Sequence, residues 1–175
     1  GFGGDSIQNY FFADLEAYPK SKEIVAGNPG RRKRSAPACT GPISVSDTEA
    51  AALDMVHLND AVSKREVTGT FSSAASPGVV SIFFGNEYYK SDEEYVFAIA
   101  EAMRHEYEAI FAAGATVQLD CPDLAMGRHT TYADLDLAGY RKKVAMNIEA
   151  LNHAVRNIPA EMISMHLCWG SDRGP

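Results

Sequence analysis

Near the C-terminus, Met162 to Gly170 reads Met-Ile-Ser-Met-His-Leu-Cys-Trp-Gly. Its first half predicts a buried strand that ends at a glycine-marked turn. In a strand, residues two apart point to one side, so His166 and Cys168 project together, separated by Leu167. An imidazole nitrogen and a thiolate sulfur on a rigid strand end are half of a zinc site, because both donors suit that borderline-soft ion. The competing reading is a His-x-Cys pair packed in a core, and the spacing alone leaves both open.

Other residues with usable chemistry fall beside strand ends. Asp120 opens the run Asp120-Cys121-Pro122-Asp123, and Gly127-Arg128-His129 follows on the next loop. Arg128 and His129 are candidate catalytic groups that either hold an anionic substrate group or transfer a proton, or else form a surface loop tied to Asp123 or Asp134. Cys121 reads as a small buried residue, since a free cysteine is among the most buried types. Thr40, Ser44 and Asn86 are further polar candidates at strand ends. Trp169, Phe84, Tyr88 and Tyr89 either stack on a flat donor or belong to the core.

Positioning these residues requires alternating elements. Cys39–Val45 predicts a short strand broken by Gly41-Pro42, and Ser46-Asp47-Thr48-Glu49 predicts a capping box. The helix it opens has an apolar face of Ala50, Leu53, Val56, Leu58 and Val62, with His57 and Asp60 on the surface. Gly78–Phe84 is a continuous apolar run that predicts a strand covered on both faces. The loop Gly85–Tyr89 leads to a second capping box, Ser91–Glu94, and a helix to about Ala113. That helix has Tyr95, Ile99, Met103 and Ile110 inward and Gly114 at C′. Ala115–Asp120 predicts the third strand, about Asp136 to Ile158 the last helix with Val144, Ile148, Leu151 and Val155 inward, and Met162 onward the fourth strand.

Residues 1–35 predict an irregular or partly helical lead-in, with helical turns at Asp14–Ala17 and Ser21–Ala26 and a turn cluster at Gly27–Gly30. Residues 36–175 predict successive β/α units of one domain. Strands joined by helices of crossover length make a parallel sheet, either doubly wound or part of a (β/α)8 barrel. No Gly-x-Gly-x-x-Gly follows a strand, which removes the usual nucleotide fingerprint. The polar residues Thr40, Ser44, Asn86, Asp120, His166 and Cys168 all fall at or beyond C-terminal strand ends, which favours the barrel.

The 175 residues carry a formal net charge of −7, which argues against a nucleic-acid partner. The short run Arg31–Arg34 reads as a solvated helix end or loop. No apolar run reaches the length of a membrane span. Three cysteines without close spacing fit reduced thiols in a cytoplasm. The sequence assigns no oligomeric state. It opens without methionine and stops at Asp172-Arg173-Gly174-Pro175 just after a strand, so both ends are expected to be cut.

Taken in order, Gly41-Pro42, Gln118-Leu119-Asp120-x-Pro122 and His166-x-Cys168 resemble the C-terminal catalytic barrel of cobalamin-independent methionine synthases, and more closely their shorter single-barrel relatives. The helix Glu93 to Gly114, with Arg104, Glu106 and Tyr107, resembles the one before that family's Gln-x-Asp strand. The resemblance runs from about Ala36 to Gly170. It implies a zinc enzyme in which His166 and Cys168 are two ligands, with the others expected beyond Pro175, and in which the metal takes up a substrate thiol as thiolate. That chemistry is sound by itself, since a thiol near pKa ~8.5 is mostly protonated at neutral pH until a metal binds it. The resemblance also implies that Asp120 contacts the amino group of homocysteine and that a methyltetrahydrofolate-type compound is the alkyl donor, a flat molecule of the kind on which Trp169, if not part of the core, would stack. Where methionine synthases have Glu-Pro-Ala after the aspartate, this chain has Cys121-Pro122-Asp123, which leaves room for another thiol or donor, such as an epoxide opened by coenzyme M. A non-enzymatic barrel with structural His166 and Cys168 is the contrasting class. Four strands alone make an open half-barrel, so low stability and negligible turnover are expected of this length by itself.

Overall fold

In the computed structural model the strongest local signals produce the longest helix. Residues 2–3, 19–20 and 37–168 are described here; the lead-in turns, the Arg31–Arg34 run and Trp169 lie outside them. Helix Asp92–Ala112 begins at Ser91, whose hydroxyl accepts a hydrogen bond from the Glu94 amide, and Asp92, Glu93 and Glu94 complement the positive helix end. Only half of the expected box forms, because the Glu94 carboxylate reaches back to the Lys90 amide. Gly114, at φ 82°, ends the helix in the left-handed region that only glycine enters without strain. Tyr95, Ile99 and Ile110 are buried as the spacing predicts, together with Val96, Ala100 and Tyr107.

In chain order the strands are β1 (Phe2–Gly3), β2 (Ala38–Cys39), β3 (Phe71–Ala75), β4 (Gly85–Asn86), β5 (Thr116–Asp120) and β6 (Ile163–His166). The helices whose full range falls among the described residues are α1 (Ala50–Val62), α2 (Pro77–Phe83), α3 (Asp92–Ala112) and α4 (Leu137–Ala154). Parallel strands β3, β5 and β6 form one sheet in that order, with β5 central. β1, β2 and β4 form a second small sheet, in which β1 runs antiparallel to β2 and β4 parallel to it. The architecture is therefore mixed α/β, with its parallel strands in two three-stranded sheets. On β3 and β5, Ala74, Val117 and Leu119 face the core formed with Tyr107 and Ile110 of α3 and Ala150, Leu151 and Ala154 of α4. The alternate positions Ser73, Thr116 and Gln118 stay partly or fully accessible.

Several predicted elements are corrected. Gly78–Phe84 is not a strand: Pro77–Phe83 is helix α2, and the preceding strand is the more polar Phe71–Ala75. A short apolar run has no period to distinguish the two, and capping decided it. Ser76 accepts from the Val79 amide, and Pro77, at the helix start, needs no amide donor. Strand Cys39–Val45 shrinks to Ala38–Cys39; beyond it the Ile43 amide donates to the Tyr89 hydroxyl at 2.9 Å instead of a ladder partner. The box at Ser46 does not form, because Asp47 Oδ1 accepts from the amides of Glu49 and Ala50. On α1 it is Met55 that is buried, while Leu53 and Val56 are exposed; His57 and Asp60 are on the surface as predicted. Helix α4 starts at its Asp136 cap and ends at Ala154, not Ile158. It buries Leu151 but turns Asn147, Ala150 and Ala154 inward, leaving Ile148 exposed.

Candidate functional site

The carboxyl ends of β3, β5 and β6 are aligned in one row, with Ala75 opposite Asp120 and Asp120 opposite His166. Because the pleat alternates, Asp120 and His166 leave the sheet on the face opposite Leu119 and Met165. Their tips approach to 4.0 Å, His166 Nε2 to Asp120 Oδ1, with side chains 55% and 46% exposed. Two backbone bonds continue the ladder past the row: the Ser76 amide donates to the Asp120 carbonyl and the Cys121 amide to the His166 carbonyl, each at 2.9 Å. Lower on the same face, Gln118 Nε2 donates to Ser73 Oγ at 2.9 Å. The row thus presents an acid and an imidazole together at an accessible sheet end, where a small polar molecule could meet both.

Strand β6 ends at His166, so Cys168 lies two residues past it, half-buried. The donor types suit zinc, but structural and catalytic zinc sites use three or four protein ligands. Among the described residues, no group of three or more His, Cys, Asp or Glu side chains is placed to hold a metal. His166 and Cys168 therefore fit such an ion by donor chemistry, with further donors needed.

The other candidate residues scatter. Cys121 is fully buried beneath the row, and burial, followed by the charge of Asp123, pushes its thiol up to about 12. Arg128 sits in the 3-10 turn Met126–His129 with its guanidinium carbon 5.9 Å from the Tyr140 ring centre. His129 belongs to the same turn by its backbone. Thr40 and Asn86 go with the second sheet. Thr40 lines a cleft of about 360 Å³ together with Cys39, Phe84 and Met103. Asn86 organises its own loop: its Oδ1 accepts from the Tyr88 and Tyr89 amides and its Nδ2 donates to the Tyr89 carbonyl. Tyr89 lies between Tyr88 and Tyr95 in an aromatic cluster, with ring centres 5.1 and 5.8 Å away.

A buried polar group under the row has no counterpart among the sequence-derived candidates. Asp123, only 1% exposed, accepts from Ser76 Oγ at 2.7 Å and from Asn147 Nδ2 at 2.9 Å. Tyr140 donates to the carbonyls of Asp123 and Ala125. Gly78 lies directly against the Asp123 carboxylate, where a Cβ would collide with it. Burial raises the Asp123 pKa, opposed by the two side-chain hydrogen bonds. A signal was present in the sequence, since both Ser76-Pro77-Gly78 and Cys121-Pro122-Asp123 follow strands. Recognising it required knowing that the two turns meet.

No protein-family model matches the chain. Among curated proteins, methionine synthases of Saccharolobus islandicus are 34% identical over 95 residues, which is 54% of this chain and 24% of theirs. The methionine synthases of Saccharolobus solfataricus and Sulfurisphaera tokodaii are 33% and 30% identical over the same length. The chain spans about a quarter of the length of these relatives. No helix among the described residues is long and apolar enough to cross a membrane. These relatives support a methionine synthase-related family for this chain.

Proposed function

We propose that the chain is part of a zinc-dependent thiol alkyltransferase that moves a methyl group to an amino-thiol such as homocysteine, and that its two sheets are arcs of a (β/α)8 barrel. The observation that carries this is the alignment of Asp120 with His166, their tips 4.0 Å apart, at the carboxyl ends of parallel neighbours. Barrel active sites are assembled at that end. The face of β3, β5 and β6 that carries Asp120 and His166 is accessible, whereas an all-parallel sheet is normally covered on both faces, and closing a barrel would cover it.

In this reading His166 and Cys168 hold zinc, with remaining donors supplied from outside the described residues. Bound zinc lowers the pKa of a thiol and so prepares it to attack an alkyl carbon. Asp120 accepts a charge-assisted hydrogen bond from the substrate ammonium and so orients the thiol toward the metal side of the row. Arg128, on the loop after β5, holds the substrate carboxylate or the donor, and His129 on the same loop moves a proton; Thr40, Asn86 and Trp169 contact the donor. The partners are a small thiol and an alkyl donor such as a methyltetrahydrofolate. The names and partial coverage of the relatives support a transferase of this kind.

The test is zinc content after dialysis of the protein and of His166→Ala and Cys168→Ser variants, followed by homocysteine titration of the cobalt(II)-substituted protein. Retained metal that is lost in both variants, with a sulfur-to-cobalt absorption band on adding homocysteine, is the expected result. Metal retention unaffected by either substitution would overturn the assignment.

A further inference from the structure

A buried carboxylate is costly unless something compensates it, and among the described residues Asp123 has no cationic side chain as a hydrogen-bond partner. Its donors are neutral: Ser76 at the junction of β3 and α2, and Asn147 on α4. Asn147 is itself 2% exposed, and its Oδ1 has no hydrogen-bond partner among the described residues. The glycine at position 78 leaves the carboxylate the space it occupies. The arrangement is thus unfavourable on local grounds, yet three separate elements converge on it.

Its geometric effect falls on the row above. Ser76 donates its hydroxyl to Asp123 and accepts from the Val79 amide, while its own amide holds the Asp120 carbonyl. Asp123 lies three residues after Asp120, and Pro122 stiffens the link between them. The chain from Asp120 to Asp123 is thereby fixed at both ends by one residue, Ser76. We propose that Asp123 is a positioning residue for Asp120, holding the carboxyl end of β5 where Asp120 meets the ammonium of an amino-thiol. This rests on the thiol-transfer reading for the ligand, and on the hydrogen bonds alone for the geometry.

The experiment compares wild type with Asp123→Ala and Asp123→Asn by amide hydrogen exchange, and then measures homocysteine and 4-mercaptobutyrate, its amine-free counterpart, binding to the zinc-loaded full chain. In Asp123→Ala the Ser76 and Cys121 amides should exchange about tenfold faster while Leu119 in mid-strand is unchanged. Homocysteine should bind about tenfold more weakly and 4-mercaptobutyrate as before. Asp123→Asn, which keeps an acceptor for Ser76, should recover most of both effects. The double variant Asp120→Asn/Asp123→Ala should be no weaker than Asp120→Asn alone, because one effect passes through the other.

Unchanged exchange at Ser76 and Cys121 overturns the inference. So does an equal loss of both thiols, or additivity in the double variant, either of which marks a purely structural role. If wild type binds neither thiol, the transferase reading falls, and the exchange data alone decide whether Asp123 holds Asp120.

Discussion

Glu101 on α3 and His153 on α4 meet at 2.5 Å, Oε1 to Nε2, and this contact centres a network of polar side chains that joins the two helices. Arg156 reaches the same oxygen at 3.0 Å, and Arg104 bridges Glu101 to Glu108. His153 foremost, then the two arginines, hold the Glu101 carboxyl down at about 2. An unfolded glutamate titrates at about 4.3. With the folded value lower, the stabilisation is full above the unfolded pKa and is lost as pH falls from about 4 toward 2. Glu101→Gln should therefore be less stable than wild type at pH 6, by about 1 kcal/mol or less because the groups are solvent-exposed, and the difference should vanish near pH 2. Urea midpoints across that range check it. A difference independent of pH would show that Glu101 acts by packing.

Gly78→Ala tests how tightly α2 sits on the buried acid. The added Cβ would fall well inside contact distance of Asp123 Oδ2 and Asn147 Nδ2, both held by buried hydrogen bonds and unable to move cheaply. A loss of about 1–3 kcal/mol is expected, as for overpacking in a core. Gly69→Ala is the control, since nothing among the described residues lies within 4 Å of its Cβ position. Equal urea midpoints for the two variants would contradict the close approach.

The contrast between α3 and α2 explains how far the sequence could be read. For α3, the Ser91 cap, the acidic first turn, the repeating apolar face and Gly114 all agree, so its limits and buried side were legible. For α2 the pattern was ambiguous, and the deciding information, a serine hydroxyl capping Val79 while donating to Asp123, is a contact between residues 47 apart. Strand β3 escaped for a related reason. Its Phe-Ser-Ser-Ala-Ala sequence has few β-formers, and pairing with β5 over its whole length sets it, which is a tertiary override of weak propensity. At the site, strand ends and residue types led to Asp120 and His166. The Ser76–Asp123–Asn147 group did not show, because no local period records which turns will meet.

Cys121 offers a simple check on the layer beneath the row. Its thiol is fully buried and pushed up to about 12, so at pH 8 it is neither accessible nor ionised. In native protein, iodoacetamide should alkylate Cys121 only as fast as the fold opens, and rapidly once urea is added. Mass spectrometry of the digested protein gives the rate for each cysteine. Labelling of Cys121 within seconds in native buffer would mean that the end of β5 opens locally, and a rim that opens so easily could not hold Asp120 still.

Asp120→Asn separates an amine-binding acid from a carboxylate that merely borders His166. The substitution keeps size and one acceptor oxygen but removes the charge, and a hydrogen bond to a charged group contributes more than a neutral one. Because Asp120 is 46% exposed, solvent weakens the interaction, and about a tenfold loss of homocysteine affinity is expected, equivalent to about 1.4 kcal/mol. A thiol without an amine should bind both proteins alike. Asp120 also neighbours His166 across the strand pair, so metal content is measured in the same samples. Loss of zinc together with loss of both thiols would make Asp120 a support for the imidazole. Intact zinc with a selective loss of homocysteine would make it the group that reads the substrate's ammonium.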